Sequence, residues 1–329
     1  MQKTNRLALA VLALIGSTAA FAQSSVTLYG RVNTTVERQE VGNVKMTSLN
    51  NNSSRFGFKG VEDLGGGLTA GFQLESGFQS DTGVGSAAFF GRHSEVNLSG
   101  SFGMVRLGNF FPESYFASAD YVSMHNHDTG SSSDALYYDP VWFGGPGTGN
   151  KIAYRTPNLG GFTVEGAAIL HEQVPGTGGR NGFDLAANYG MGALNLGAGY
   201  SSVNSNTQYS LRALYTFGQF TVGGYYQRNK DANQILPTGA GTRNNFRLAG
   251  AYSLGASEFH VNVGRASEYA NVVDSGATQY TLGYNYNLSK RTKVYGYYTR
   301  VNNSSNATYM TGVAGADFSS VAVGIRHNF

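Results

Sequence analysis

The sequence of 329 residues contains no cysteine, six prolines and one tryptophan. The absence of cysteine excludes a disulfide framework and any metal or redox centre built on thiolates. After Ala22 no apolar run approaches the ~18 to 20 residues of a membrane-spanning helix, and no apolar stripe with a helical period of 3.6 residues is sustained. Because a dense Lys/Arg run is also missing, we expect no nucleic-acid partner.

The first 22 residues have the pattern of a secretory signal peptide. Lys3 and Arg6 form a positive segment, the apolar run that follows is too short to span a bilayer, and Ala20-Phe21-Ala22 is a cleavage motif. The alternative is a retained membrane anchor. Cleavage before Gln23 would lower the basic residues from 23 to 21, against 20 acidic residues, so the mature chain is nearly neutral. We predict a signal peptide over residues 1–22 and one domain over residues 23–329.

The mature chain alternates apolar and polar residues along short segments, which is the period of a half-buried β-strand. Sixteen such segments are separated by turns. In the segment from Thr278 to Leu288, the residues of one face are apolar or aromatic, namely Tyr280, Leu282, Tyr284, Tyr286 and Leu288. The residues of the other face are mostly polar, namely Gln279, Thr281, Gly283, Asn285 and Asn287. The 46 glycines suit strands that must curve on closing into a barrel.

The connections alternate between short turns and long polar loops, a sorting typical of transmembrane β-barrels. Tyr and Phe lie near the ends of the apolar faces, where aromatic girdles meet the membrane interfaces. A soluble barrel would instead turn its apolar face inward. We therefore predict an all-β fold, a 16-stranded antiparallel transmembrane β-barrel with a water-filled lumen, in contact with the lipid of the cell outer membrane.

One connection is unlike the others. The 42 residues from Asn109 to Asn150 contain five acids, two histidines and the tryptophan, but no Lys or Arg. An irregular loop of this length is uncommon and usually functional. We predict that it is the third external loop, without regular structure, and that it folds into the barrel lumen and faces basic residues on the wall. The alternative is a solvated external loop.

Several motifs resemble those of the Gram-negative general porins. They are Val26-Thr27-Leu28-Tyr29-Gly30, the hairpin from Ser53-Ser54-Arg55-Phe56-Gly57-Phe58-Lys59-Gly60 to Phe78, Leu98-Ser99-Gly100-Ser101-Phe102-Gly103, and the terminal Arg326-His327-Asn328-Phe329. The resemblance runs from Gln23 to Phe329. It implies a homotrimer of barrels whose third loop narrows each pore, and it implies that Phe329 acts as a signal for barrel assembly.

Parity within the strands predicts which charged residues point inward, since a charge facing lipid at mid-depth costs about 2 to 4 kcal/mol. The predicted pore constriction consists of Arg31, Arg55, Arg106, Glu113 and Asp120. Other basic residues predicted to face the lumen are Lys59, Lys151, Arg155, Arg212 and Arg247. The alternative is that these cations only pair with inward acids, namely Glu75, Glu95, Glu165 and Glu258. Arg92 is ambiguous, because parity places it with Val96 on the apolar face; the alternative is a position above the lipid zone.

No arrangement of residues suggests catalysis. His125 and His127 lack a nearby third metal ligand, and the nucleophile elbow and phosphate-binding loop motifs are absent. We therefore predict no enzyme activity, no metal and no cofactor. The predicted function is passive diffusion of small hydrophilic solutes and ions, with a weak preference for anions. An outer-membrane barrel enzyme (a protease or lipase) or an adhesin are the alternatives.

Overall fold

The computed structural model describes residues 25–119, 130–144, 148–174, 176, 178–232 and 240–329, so the predicted signal peptide lies outside the described residues. Within them the chain forms seventeen β-segments. In chain order these are β1 (Ser25–Val41), β2 (Val44–Asn51), β3 (Arg55–Gly65), β4 (Leu68–Gly77), β5 (His93–Gly100), β6 (Gly103–Asn109), β7 (Lys151–Arg155), β8 (Phe162–Ile169), β9 (Gly182–Met191), β10 (Leu194–Val203), β11 (Asn206–Phe217), β12 (Phe220–Asp231), β13 (Gly241–Leu254), β14 (Ser257–Ala266), β15 (Ala277–Asn287), β16 (Thr292–Asn303) and β17 (Phe318–Asn328).

These segments form one closed antiparallel sheet of sixteen strands. Apart from β2 and β3, each segment pairs with the next, and β1 pairs with β17 from Arg31↔Asn328 to Val41↔Phe318, which closes the barrel. Segments β2 and β3 together make a single crossing of the wall, because β1 pairs with β2 along one half and with β3 along the other. The predicted 16-stranded antiparallel barrel is confirmed.

The break between β2 and β3 exchanges the two faces of the strand. Ser53 adopts a φ of 58°, and the Ser54 hydroxyl accepts a hydrogen bond of 2.9 Å from the backbone N–H of Asn33. Before the break the odd-numbered Leu49 pairs with outward Val36, whereas after it the even-numbered Phe58 pairs with outward Leu28. One extra residue therefore keeps the apolar side chains on the outside on both sides of the break.

Apolar side chains occupy the exposed face of the barrel, and polar side chains the inward one. On β17, Val321, Val323 and Ile325 are 54%, 65% and 59% exposed, whereas Ser320, directly before them, is 1% exposed. Such alternation follows from the two-residue period of a strand. Within the described residues, no helix has the length and apolar character needed to cross a membrane.

The long connection between β6 and β7 is partly regular. It contains α1 (Glu113–Ser118), a 3₁₀ turn (Gly130–Ser132) and α2 (Pro140–Gly144). The expectation of a loop without regular structure is therefore wrong. The other connections are mostly sorted as the sequence indicated, with two-residue turns such as residues 218–219 and 255–256 at one end and longer loops such as residues 267–276 and 304–317 at the other. Residues 42–43 and 204–205 differ, because they are two-residue turns at the end that carries the long loops.

Candidate functional site

Helix α1 packs closely against the inward face of β9 and β10. The Asp184 carboxylate on β9 accepts hydrogen bonds from the backbone N–H of Ser114 (3.1 Å) and from its hydroxyl, and the Ser201 hydroxyl donates to the same carboxylate at 2.9 Å. A Cβ atom on Gly197 would lie 1.8 Å from the backbone oxygen of Ala117. The helix can therefore reach the wall only because β10 carries glycine here.

The remainder of the loop contacts the polar faces of strands around the wall. Backbone groups of Leu136 and Tyr138 bond to Asn245 on β13 and Gln227 on β12. At the 3₁₀ turn, the Ser131 hydroxyl donates to Glu37 on β1 at 2.7 Å. Further contacts join the loop to β7, β11, β15 and β16 through Lys151, Arg212, Gln279 and Tyr297.

Nine charged residues lie in a band along the wall that reaches α1 at one end, and we call this group the charged ribbon. They are Arg31, Arg55, Glu75, Arg92, Glu95, Arg106, Glu113, Arg155 and Glu165. All except Glu113, which lies on α1, and Arg92, which directly precedes β5, are on the inward parity of strands β1 and β3–β8. With every group ionised, five cations face four carboxylates, a surplus of one positive charge.

Arg106 lies at the middle of the charged ribbon. Its guanidinium donates to Glu95 at 2.6 and 2.9 Å and to both oxygens of Glu165 at 3.0 and 3.1 Å. The group also lies 4.0 Å from the centre of the Phe110 ring, within range of a cation–π interaction. Because charge-assisted hydrogen bonds to two carboxylates fix its planar group, Arg106 holds one orientation.

Arg155 links the wall to the loop. It donates to Glu165 on β8 at 2.7 Å and to Glu113 on α1 at 2.6 Å. Burial raises the pKa of the Glu113 carboxyl to about 7, outweighing the opposite influence of the Arg155 charge. Glu113 is thus a loop acid whose charge changes near neutral pH.

The other end of the charged ribbon contains Arg31, Arg55 and Arg92. Arg31 lies directly opposite Arg55 across β1 and β3, and its side chain donates to Asn328 at 3.1 Å. Glu75 is shared by Arg92 at 2.7 Å and Arg55 at 3.7 Å. Arg31 and Arg55 are like charges on neighbouring strands and repel each other. Together with Arg92 they give this end of the charged ribbon three cations for one carboxylate, Glu75.

The remaining predicted basic residues are not part of the charged ribbon. Lys151 is buried, its ammonium donating to the backbone oxygen of Phe110. Arg212 donates to the backbone oxygen of Phe116 at 3.0 Å. Arg247 donates to Asp134 at 2.7 Å, and both side chains are 1% exposed. These three residues hold the loop against the wall, whereas Lys59 is exposed and lies 5.4 Å from the ring of Tyr29.

The structure thus brings together four of the five residues predicted for the constriction, Arg31, Arg55, Arg106 and Glu113. The fifth, Asp120, lies outside the described residues, as do His125 and His127. In the described ranges no group of three or more His, Asp or Glu side chains has the geometry of a metal site.

Sequence reasoning missed Asp184 and left the direction of Arg92 ambiguous. Asp184 alternates with Phe183 and Leu185 on β9, so parity alone could have identified it as an inward acid. Arg92 precedes the first residue of β5, where parity no longer fixes direction, and only the structure places its guanidinium on Glu75.

The chain terminus completes the barrel wall next to the charged ribbon. Phe329 exchanges two backbone hydrogen bonds with Gly30, at 3.0 and 3.1 Å. A Cβ atom on Gly30 would lie 2.3 Å from Cζ of Phe329, so the aromatic ring covers this glycine on the outer face. The ring itself is 41% exposed.

Comparison with known proteins identifies relatives over almost the whole chain. A family model described as Gram-negative porin matches residues 8–306. Outer membrane porin protein 32 of Delftia acidovorans is 36% identical over 369 aligned positions, covering 99% of this chain and 100% of the relative.

Solved structures with the same fold include an anion-selective porin from Comamonas acidovorans, which is 32% identical with a TM-score of 0.79 and covers 93% of this chain and 100% of its own. OmpT of Vibrio cholerae, in a trimer form, has a TM-score of 0.68 at 15% identity and covers 93% of this chain and 99% of its own.

Proposed function

Because the chain belongs to the Gram-negative porin family, we propose that its pore passes small hydrophilic solutes by passive diffusion, with a weak preference for anions set by the charged ribbon. The protein is a porin of the outer membrane. Selectivity in such a channel depends on the width of the pore and on the sign of the charges that line it. Diffusion needs no chemical step, and we propose that the protein is not an enzyme.

The observation that carries the proposal is the composition of the charged ribbon. Five cations and four carboxylates leave a small positive surplus, and it becomes larger whenever Glu113 is protonated. Charges within ~10 Å of a permeating ion are incompletely screened at physiological salt. The name of the Comamonas relative, an anion-selective porin, agrees in sign with this surplus.

The proposal also places the loop inside the pore, where it narrows the passage beside the charged ribbon. Support comes from the distribution of its contacts. The described loop residues Ser114, Ser131, Ala135, Leu136 and Tyr138 bond to the polar faces of β1, β9, β12, β13 and β15, which lie on different sides of the barrel. One short segment can reach the same face of all these strands only from within.

Planar-bilayer recording of the purified protein tests the proposed function. We expect a steady conductance in KCl and, under a salt gradient, a reversal potential on the anion side. Liposomes containing the protein should swell in small sugars. A barrel enzyme or an adhesin without a pore would give neither conductance nor swelling, and a reversal potential on the cation side would refute the anion preference.

Two further proposals concern the mature protein. We propose that export removes residues 1–22, so that the chain begins at Gln23, which intact mass measurement of outer-membrane material would test.

We also propose a homotrimer, as the family resemblance implies and as OmpT of Vibrio cholerae forms in one of its structures. Chemical cross-linking in native outer membranes should then give a limiting species of three chains.

A further inference from the structure

The outward face of the barrel carries few charged residues in the described strands, and most of them lie at the ends that lead into the long loops. Two outward cations, Arg300 and Lys45, have nearby partners of opposite sign. Arg300 pairs with Asp317 at 2.8 Å, and Lys45 pairs with Glu40 at 3.5 Å. These pairs present little net charge to the membrane.

Another set, Arg228 and Lys230 on β12 and Arg265 on β14, differs from these pairs. None of the three makes an ion pair within the part of the chain that the structure describes. Arg228 donates to the neutral side chain of Asn244 at 3.2 Å, and Arg265 lies opposite Phe246 and Thr278. We call Arg228, Lys230 and Arg265 the outer basic cluster.

Two carboxylates lie near the outer basic cluster in sequence, and neither neutralises it. Asp231 follows Lys230 but is buried on the opposite, inward face of β12. Glu268 follows Arg265 by three residues, is exposed in the loop after β14, and makes no ion pair with a described residue. The outer basic cluster therefore presents up to three positive charges outward near the loop ends of β12 and β14, opposite the positions from Thr242 to Phe246 on β13.

An apolar groove lies directly below the outer basic cluster on the membrane-facing surface. It is lined by Leu211, Ala213, Gly224, Tyr226, Phe246 and Leu248. Gly224 forms its floor, because a Cβ atom there would lie 2.4 Å from the backbone oxygen of Arg247. Tyr226, Phe246 and Arg265 follow one another across β12, β13 and β14, so the groove and the cluster are contiguous.

We propose that the outer basic cluster and this groove together bind one lipid that carries phosphate on its headgroup, with an acyl chain in the groove and the phosphate between Arg228 and Arg265. Long external loops mark this end of the strands as the outer leaflet side. Arginine binds phosphate through paired charge-assisted hydrogen bonds, and cations next to an anionic lipid surface each strengthen its binding. The groove opens to the membrane, so its occupant is a lipid rather than a soluble anion. The site faces away from the lumen and is independent of the proposed channel function.

Native mass spectrometry of the detergent-purified protein tests the proposal with dioleoyl phosphatidic acid and dioleoyl phosphatidylcholine as probes. The wild type should retain phosphatidic acid at least about tenfold more strongly than phosphatidylcholine. The triple variant Arg228→Gln, Lys230→Gln, Arg265→Gln should lose this difference. Arg300→Gln is the matched control, an outward arginine that already has a carboxylate partner, and it should keep the difference.

A second variant separates the groove from the charges. Ala213→Leu fills the groove without altering the outer basic cluster, and it should weaken binding of dioleoyl phosphatidic acid but not of a short-chain analogue. Equal retention of both lipids by the wild type, or unchanged selectivity in the triple variant, would overturn the proposal. So would inorganic phosphate displacing the lipid at equal concentration, because a free anion would then be the ligand.

Discussion

Arg155 on β7 and Glu113 on α1 form an ion pair of 2.6 Å that joins the barrel wall to the loop. Both residues belong to the charged ribbon, and Glu113 is its one member from the loop between β6 and β7. Because burial raises the pKa of Glu113 to about 7, the net charge of the charged ribbon depends on pH in the neutral range.

The first prediction follows from this pKa. Below about pH 7 the Glu113 carboxyl is neutral, and above it the carboxylate adds one negative charge, so anion preference should fall as the pH rises. Reversal potentials at about pH 5.5 and about pH 8.5 measure the change. Glu113→Gln should behave at both values like the wild type at low pH. A variant that keeps the full pH dependence would assign the effect to another group.

The second prediction concerns the attachment of the loop to the wall. Asp134 accepts hydrogen bonds from Arg247 on β13 and from the Tyr225 hydroxyl on β12. Removing one partner of a buried pair leaves an uncompensated charge, at a cost of about 3 to 5 kcal/mol. Asp134→Asn should therefore release this part of the loop, which would appear as increased open-channel noise and faster proteolysis within the loop.

Two further variants make the second prediction specific. Adding Arg247→Gln to Asp134→Asn removes both charges and should restore much of the quiet current. Arg300→Gln breaks an exposed pair with Asp317, which contributes only about 0 to 1 kcal/mol, and should leave the current unchanged. Wild-type noise in the single Asp134→Asn variant would show that the pair does not hold the loop.

The third prediction concerns closure of the barrel. Deleting Phe329 removes its two backbone hydrogen bonds to Gly30 and the ring that covers this glycine, and should lower the amount of heat-modifiable oligomer in the outer membrane. Phe329→Ala keeps the backbone bonds, so its comparison with the deletion separates the ring from the backbone. Wild-type amounts of oligomer in the deletion variant would exclude an assembly role for Phe329.

The inside and outside of the barrel could be predicted from the sequence because the side chains of a strand alternate with period two. Val321 and Ile325 face outward and Arg106 inward by this rule alone. The rule ends where the strand ends, so the direction of Arg92 and the path of the loop could not be derived. Asp134 and Arg247 are 113 residues apart, and no local pattern indicates that they meet.

Pairing within the site was predictable only as a set of alternatives. The sequence offered inward cations that either attract anions or pair with inward acids. Arg106 pairs with two wall acids, Arg155 with one wall acid and one loop acid, and Arg31 lies opposite a second arginine. Strand register decides between attraction of anions and pairing, because it determines whether the residue opposite a given arginine on the neighbouring strand is a carboxylate or another arginine. Arg155 lies opposite Glu165, whereas Arg31 lies opposite Arg55.

The most direct test of the central claim is the reversal potential in a KCl gradient of Arg31→Ala, Arg55→Ala and Arg106→Ala, with the outward Arg38→Ala as control. Removing a charge ~4 Å from an ion changes its energy by about 1 kcal/mol in water, which corresponds to roughly a fivefold change in the permeability ratio at most. We predict a shift toward cations in all three variants, greatest at low salt, and no shift in the control. An unchanged reversal potential in all three would contradict the claim that the charged ribbon sets selectivity.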